Sequence, residues 1–451
     1  MRENRYVAAI EIGSSKIIGA IGRTDGSALE IIAVEQTKGV EMVRHGVIQN
    51  LEAAASAISV LLDRLEDSAD IDGMVIDKLF VGISGRSLRN IPVTKTIKFD
   101  EEKEITAEDV ERLRSLAENS ALDSSLLLVD LEPRSYQVDR NQTMSPVGMY
   151  GKTLEGVFDL IVCRPVLERN IKRTIEDKLG ITIAGVVATP LAMGHLLVKN
   201  DEKRGGCMLV DIGAETTTVM IYRGGAMTYL ATLPLGGRNI TLDLMSLSIS
   251  EERAEAIKLQ SGRAIAPDTK AVFDIDGVRN TDVTNLVTAR AEEIAANICE
   301  QMEYAGLQYK DLPNGIIALG GGFKLNGMTD LVAQQCNLSV RNASLPEGSV
   351  IVEDKKAPAS EIMQLASILY TAATLSDVNC MAPVQPEEPA QEEDPKGQRF
   401  PESDDDEEEY RRPASEKKKK KKKPSALGKL AFKLRQVLTY GGDDDDDTEI
   451  E

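Results

Sequence analysis

Met208-Leu-Val-Asp211-Ile-Gly213-Ala-Glu-Thr216-Thr217-Thr218-Val-Met-Ile-Tyr222 is the stretch whose reading decides the fold. It reads as strand, tight turn, strand: apolar Met208 to Val210 end in an acid, Gly213 opens the turn, and β-branched Thr217 to Ile221 resume the strand. Such a turn aims backbone N–H groups at an anion. About two hundred residues earlier the phrase is written once before, as Val7-Ala-Ala-Ile10-Glu11-Ile12-Gly13-Ser14-Ser15-Lys16-Ile-Ile-Gly-Ala-Ile21. Glu11 stands where Asp211 stands, and Gly13 where Gly213 does. A single turn of this kind is common; two copies at half-chain spacing fit facing hairpins that clamp a polyphosphate, each carboxylate holding water on a cation. Two ordinary β-hairpins are the alternative.

A chain of 451 residues can form two or three domains with cores of their own. The formal net charge of −20 argues against broad nucleic-acid binding, which needs a positive surface to displace phosphate counterions. Cys163, Cys207, Cys299, Cys336 and Cys380 are odd in number and widely spaced, so neither a disulfide framework nor a zinc knuckle is expected, and the compartment reads as reducing. His45 and His195 read as structural or exposed rather than as ligands. No secretion signal is legible before the first strand and no run of about eighteen apolar residues occurs, so the expected compartment is the cytoplasm.

Residues 29–34 read as a third strand, 51–65 as an amphipathic helix, and 78–87 as a strand running into a glycine turn. Charged residues 101–118 contain the cap-like Thr106-Ala-Glu-Asp109, with short strands at 125–129 and 136–138, which together suggest a small α+β insert. Pro146-Val-Gly-Met-Tyr-Gly151 and the residues to Gly156 read as a loop, and 157–162 as the strand that returns to the first sheet. A helix at 170–179, a strand at 183–187 and a helix at 190–198 lead to a polar hinge at 199–205. Beyond the second hairpin, helices open at Leu235 and after Ser250; the latter carries Glu255 and Lys258 three apart on one face, as ligands or as a plain surface ion pair. A long helix spans 287–305. A strand at 316–319 then enters Gly320-Gly321-Gly322, where backbone can approach a planar ring or a phosphate, a plain loop being the alternative.

Taken together, Glu11-Ile-Gly-Ser-Ser-Lys16, Val81-Gly-Ile-Ser-Gly85, Pro146-Val-Gly-Met-Tyr-Gly151, Asp211-Ile-Gly213, Ala254-Glu-Ala-Ile-Lys258 and Leu319-Gly-Gly-Gly322 resemble the FtsA family of actin-like bacterial cell-division proteins, over residues 6–374. The resemblance implies an α/β, actin-like (ribonuclease H-like, duplicated) fold with an inserted α+β subdomain. Its subdomains would be 1–84 with 159–204, the insert 85–158, 205–235 with 308–378, and a helical outer subdomain 236–307. It further implies ATP and Mg²⁺ as ligands. Gly13, Ser14, Ser15 and Lys16 would cradle the β- and γ-phosphates, and Gly213, Thr216 and Thr217 would close from the other side. Asp211 and Glu11 would hold Mg²⁺ through water, Glu255 and Lys258 would meet ribose and adenine, and Gly320, Gly321 and Gly322 would pass beneath the base. The family usually carries Asp where this chain has Glu11, which puts the geometry at the γ-phosphate in question.

After about residue 376 the composition turns to Pro, Glu and Gln, then to acidic 402–409, then to lysines 417–423, from which no core can form. The stretch 379–423 thus reads as a disordered tether. In 424–440, Leu427, Leu430, Ala431, Leu434, Val437 and Leu438 fall on one helical face, with Lys429 opposite and Lys433 and Arg435 flanking. Such a helix rises about 21 Å, too short to cross hydrocarbon and suited to lying on an anionic membrane surface. Docking on a partner protein or on the chain's own core is the other reading. Acidic 441–451 follows, and its Asp443–Asp447 run points away from anionic headgroups. The whole reads as an ATP-binding protein that polymerises on the inner face of the membrane at the septum; the resemblance implies that it tethers FtsZ there and recruits later division proteins. A sugar-kinase-type enzyme of the same superfold is the alternative, though no base for a second substrate is evident. Hydrolysis should be slow, because 157–162 run into Cys163-Arg164-Pro165 without an Asp, Glu or Gln to orient water, Glu168 being the next candidate.

Overall fold

The computed structural model describes residues 5–383 except 27, 40, 70, 72, 268–271, 276 and 354–357, so the charged tether and the amphipathic segment 424–440 lie outside the described residues. β1 (Arg5–Ile12), β2 (Lys16–Thr24) and β3 (Leu29–Lys38) form an antiparallel meander. Val7 to Ile10 are wholly buried, without polar alternation, because helices cover both faces of this sheet. A short hairpin, β4 (Val43–Arg44) and β5 (Val47–Ile48), precedes α1 (Leu51–Ser68), which Asn50 caps and which buries Ala54, Ile58, Leu61 and Leu65 at helical spacing. After β6 (Met74–Ile76), β7 (Lys78–Ile83) pairs parallel to β1, making α1 a crossover helix.

The insert consists of β8 (Arg89–Glu104), α2 (Ala107–Glu118), β9 (Leu127–Val138), β10 (Asn141–Thr143) and β11 (Tyr150–Cys163), with strand order β10-β9-β11-β8. Thr106 and Asp109 make a reciprocal capping box at the start of α2. Leu113, Leu131, Tyr136 and Phe158 fill the core beneath it. Two expectations change here. Residues 150–156 are strand rather than loop, and 157–162 pair with β8 and β9 instead of returning to the first sheet. An apolar run looks the same whichever sheet receives it, and Gly151 and Gly156 sit in β11 because Val138, Leu113 and Phe158 occupy the space a side chain would need.

The strand that does return is β12 (Thr182–Ala188), parallel to β7 and reached through α3 (Pro165–Lys172) and a π-helical turn, Arg173–Lys178. α4 (Thr189–Leu197) follows it, buried on nearly every side. The polar hinge proves to be a short helix, α5 (Asn200–Gly205). Then β13 (Cys207–Ile212), β14 (Thr217–Arg223) and β15 (Ala226–Leu233) repeat the meander. α6 (Gly237–Met245), α7 (Glu251–Ser261), the small hairpin β16 (Asp274–Ile275) and β17 (Val278–Arg279), and α8 (Asn280–Tyr304) form the outer helical part. β18 (Ile316–Leu319) runs parallel to β13, and α9 (Met328–Cys336) leads to β19 (Val340–Asn342). The order β15-β14-β13-β18-β19 thus repeats β3-β2-β1-β7-β12, two copies of one design.

The chain then crosses back. β20 (Val350–Val352) pairs with β3, α10 (Met363–Leu375) buries its residues in the core of the first half, and β21 (Met381–Pro383) pairs with β6. This corrects the assignment of 308–378 wholly to the second half and of 379–383 to a tether: an all-round apolar helix is marked as buried but not as belonging to either sheet. Cys299 and Cys336 form a disulfide between α8 and α9, against the expectation of none; 37 residues separate them in sequence, but the helices lie side by side. Where the chain crosses between halves, Arg341 donates from Nε and Nη2 to the two oxygens of Glu202, each at 2.7 Å, and from Nη2 to the Leu197 carbonyl at 3.4 Å.

The insert meets the second half through a buried network whose ion pair lies within the insert. Asp159 is wholly buried and accepts from Arg134 Nε (2.8 Å) and Nη2 (2.6 Å) and from Asn90 Nδ2 (2.7 Å). Arg134 Nη2 also donates to the Thr228 carbonyl on β15 at 2.8 Å, while the Leu230 N–H donates to Asn90 Oδ1 at 2.9 Å. Burial raises the Asp159 carboxyl above its ordinary range, and Arg134 opposes that rise. Arg134→Met, which strands a buried carboxylate, should cost about 3–5 kcal/mol in denaturant unfolding, and pairing it with Asp159→Leu should recover much of that. A loss below about 1 kcal/mol would show that the pair does not fix the insert.

Candidate functional site: two facing turns

The two meanders end in the same turn. Beyond the Ile12↔Ile17 pair the Gly13 N–H donates to the Lys16 carbonyl at 3.0 Å, and beyond Ile212↔Thr217 the Gly213 N–H donates to the Thr216 carbonyl at 2.8 Å. A Cβ at either glycine would come within 2.9 and 3.0 Å of those carbonyls, so close approach fixes the residue type in both copies. Two residues before each glycine lies an acid, and these acids repel each other. Burial, and then the charge on Asp211, raise the Glu11 carboxyl to about 7, against the pull of Ser84 and Lys16. Burial raises Asp211 to about 6, opposed by Gln364, whose Nε2 donates to Asp211 Oδ2 at 3.2 Å. Ser84 Oγ donates to Glu11 Oε1 at 3.3 Å.

Two enclosed carboxylates that burial raises toward neutrality suit a divalent cation, whose charge would let both ionise. Among the described residues no cluster of three His, Cys, Asp or Glu side chains could ligate a metal alone. The two carboxylates alone would fit an ion such as Mg²⁺, which keeps waters and takes further oxygens from a phosphate.

Around this pair the expected residues divide. Ser14 Oγ accepts from the Gly46 N–H at 3.2 Å, the Ser15 carbonyl accepts from the Gly39 N–H at 2.8 Å, and Lys16 Nζ reaches the Glu361 carbonyl at 3.4 Å. Thr216 borders the second turn. Thr217 differs from expectation: its side chain is wholly buried and donates to the Leu235 carbonyl at 2.7 Å, which removes that hydroxyl from any phosphate contact. Lys258 Nζ donates to Glu255 Oε2 (2.6 Å), Thr241 Oγ1 (3.0 Å) and the Gly237 carbonyl (3.1 Å), and the Gly237 N–H in turn donates to the Gly213 carbonyl at 2.9 Å. The Glu255–Lys258 pair therefore stands one step from the second turn.

Gly320 has φ +88°, and a Cβ there would lie 2.3 Å from Asp211 Oδ1. At Gly322 a Cβ would meet the Ile212 side chain at 2.1 Å, whereas Gly321 faces open space. Sequence reading missed Gln364, which arrives from α10 through the unforeseen crossing. It also missed Glu215, whose Oε2 accepts from the His45 N–H at 2.7 Å and whose Oε1 accepts from Arg238 Nη1 at 3.0 Å, bridging the halves. Thr189 follows β12 with its hydroxyl buried and without a protein partner.

The carboxylate pair carries a pH signature. Both acids titrate higher in the folded chain than their ordinary 4.5 and 3.8, so their stabilising contribution is complete below about pH 4 and is lost as pH rises toward 7. Glu11→Gln should flatten this dependence and raise the melting temperature of the nucleotide-free chain above pH 7. Melting curves of variant and wild type that stay parallel in pH would show that the Glu11 carboxyl does not titrate above its ordinary range in the folded chain.

A family model described as "Cell division protein FtsA" matches residues 208–360, and one described as "SHS2 domain inserted in FTSA" matches 85–162, the span of β8 to β11. The cell division protein FtsA of Porphyromonas gingivalis (strain W83) is 32% identical over 338 residues, covering 72% of this chain and 70% of the relative. Its counterpart in Bacillus subtilis (strain 168) is 30% identical over 358 residues, covering 76% and 80%. Among solved structures, one titled "PilM-PilN type IV pilus biogenesis complex" aligns with TM-score 0.58 at 18% identity, over 81% of this chain and 98% of that one. The duplicated sheets, the inserted subdomain and these identities agree: the chain has the actin-like fold and belongs to the FtsA family of cell-division proteins.

Proposed function

We propose that this chain binds MgATP between its two turns, assembles into filaments on the cytoplasmic side of the membrane at the septum, and there links FtsZ and later division proteins to the lipid surface. The observation that carries the reading is the carboxylate pair: Glu11 and Asp211 oppose each other beside two backbone turns whose N–H groups suit a polyphosphate. Lys16 supplies the neutralising charge on one side. Family membership supports the cell-division role, and the SHS2-type insert supplies a surface for neighbours in a filament or for later division proteins. Membrane attachment is assigned to the segment 424–440, which lies outside the described residues, on the apolar stripe and flanking cations of its sequence.

Nucleotide serves chiefly as a structural ligand in this reading. The strand that returns to the first sheet, β12, runs into Thr189-Pro190-Leu191, so no acid or amide stands there to orient an attacking water. Positioning supplies most of the catalysis in phosphoryl transfer, and hydrolysis should therefore be slow. One amphipathic helix binds lipid modestly, so many tails on one filament raise avidity without new contacts.

Calorimetry with ATP and Mg²⁺ tests the site: Lys16→Ala and Asp211→Ala should each weaken binding about tenfold or more, and unchanged affinity in both would remove the assignment. Flotation with anionic liposomes tests the anchor, because Leu434→Glu should leave the protein in the unbound fraction, and flotation equal to wild type would exclude this helix. Phosphate release on membranes should stay well below about 1 per second, and a rate within the kinase range of roughly 1–100 per second would refute a structural role for ATP.

A further inference from the structure

Cys299 and Cys336 are joined across α8 and α9, with Cα atoms 5.1 Å apart, in a chain whose cysteine usage suits a reducing compartment. The two sulfurs differ in access. Cys336 ends α9 inside the core of the second half, whereas Cys299 is half-buried at the edge of that core. Cys163, Cys207 and Cys380 are buried, and burial pushes their thiols up to about 12, about 12 and about 11, so little thiolate forms there. Exchange with an outside thiol is thereby confined to one sulfur of one pair.

The bond closes a loop of chain that holds the end of α8, β18, the Gly320-Gly321-Gly322 turn and α9. Within this loop the glycine turn lies against Asp211 and Ile212. Past the turn, the Asn326 carbonyl accepts from the Ala264 N–H at 2.8 Å, and Thr288 Oγ1 on α8 donates to the Arg263 carbonyl at 3.3 Å. Residues 263 and 264 follow α7, the helix of Glu255 and Lys258. α8 therefore holds this wall of the cleft twice, through the disulfide to α9 and through Thr288 to the chain beyond α7. While the bond stands, the loop cannot open as a local unit, because both its ends are covalently held; once it is reduced, packing alone keeps α9 on α8.

We propose that Cys299–Cys336 is a reversible thiol–disulfide site, served by a dithiol reductant, that sets how firmly the glycine turn and the end of α7 are held. In the reduction a thiolate of the dithiol attacks Cys299 Sγ, the bond to Cys336 Sγ breaks, and Cys336 leaves as a thiolate that takes a proton from solvent. The second thiol of the reductant, on losing its proton, displaces Cys299, which is protonated in turn. Two electrons have then passed to the pair, and the dithiol departs as a disulfide. Oxidation is the same exchange run backwards against a disulfide. With its wall held in place the oxidised chain binds nucleotide more tightly, and by linkage bound nucleotide makes the bond harder to reduce. The effect on nucleotide rests on the function proposed above, whereas the exchange and the stiffening of the loop do not.

The full chain would be equilibrated with dithiothreitol or with oxidised glutathione, freed of either, and its thiols counted by alkylation in denaturant and intact mass. Five thiols should be found after reduction and three after oxidation, with no glutathione attached. In the nucleotide-free chain, amide hydrogen exchange across 316–336 should be about tenfold slower or more after oxidation. Calorimetry should give ATP an affinity about fivefold tighter or more in the oxidised chain. Cys299→Ser should show the exchange rates and ATP affinity of the reduced chain in both buffers; if it fails to fold, the two states of the wild type carry the test. Five thiols or attached glutathione after oxidation, equal hydrogen exchange in the two states, or equal ATP affinity would each overturn the proposal. Failure of ATP to bind in either state would instead strike the nucleotide reading, and the thiol count and hydrogen exchange would decide the site.

Discussion

Burial of two carboxylates, Glu11 and Asp211, is the constraint around which the cleft is arranged. Each acid is placed by the end of a strand, in one of the two matching sheets. Near neighbours answer that burial: Ser84 and Lys16 at Glu11, Gln364 at Asp211, and Gly320 leaving room where any side chain would press on Asp211. None of them cancels it, because neutral donors and one partly distant ammonium cannot replace the water taken from two carboxylates. The cleft is thus left with a need for positive charge, which on the function proposed above a cation-bearing polyphosphate would meet.

The insert answers a different problem. A subdomain held to its neighbour by one strand pair, Arg89↔Ala231, would pivot about it; the Asp159–Arg134–Asn90 network reaches past that pair to Thr228 and Leu230 and sets the angle. A buried ion pair is a poor source of stability but a good source of orientation, since its strength is lost when the geometry drifts. The insert is therefore braced against the second half, while its root at residues 84–88 is tied to the first turn through Ser84 and through the His45 loop.

The duplicated turns were legible in the sequence because Glu11-Ile-Gly and Asp211-Ile-Gly carry their chemistry locally, in two or three adjacent residues. So were the caps at Thr106 and Ser250, whose partners lie three positions on. The failures concerned partners far apart in sequence. Residues 157–162 read as a buried strand but not as a member of any particular sheet, α10 reads as a buried helix but not as one that returns, and the pairing of Cys299 with Cys336 depends on two helices lying together. Thr217 was misjudged for a subtler reason: its position beside the turn was right, but strand alternation turned its hydroxyl inward to Leu235, and one residue of register decides that.

The chain crosses between the halves twice, and Arg341 ties one crossing to the other by its fork on Glu202 and its contact with Leu197. Two adjacent pivots define an axle. On the function proposed above, a hinge along that line would leave cleft closure one principal direction, so that a movement of a few degrees at the ligand would become a displacement of fixed direction at the far rim. In the filament proposed above, where each subunit would take its orientation from the last, motion with a single direction would add along the polymer instead of averaging out, and bending of the whole would follow from the occupancy of its clefts.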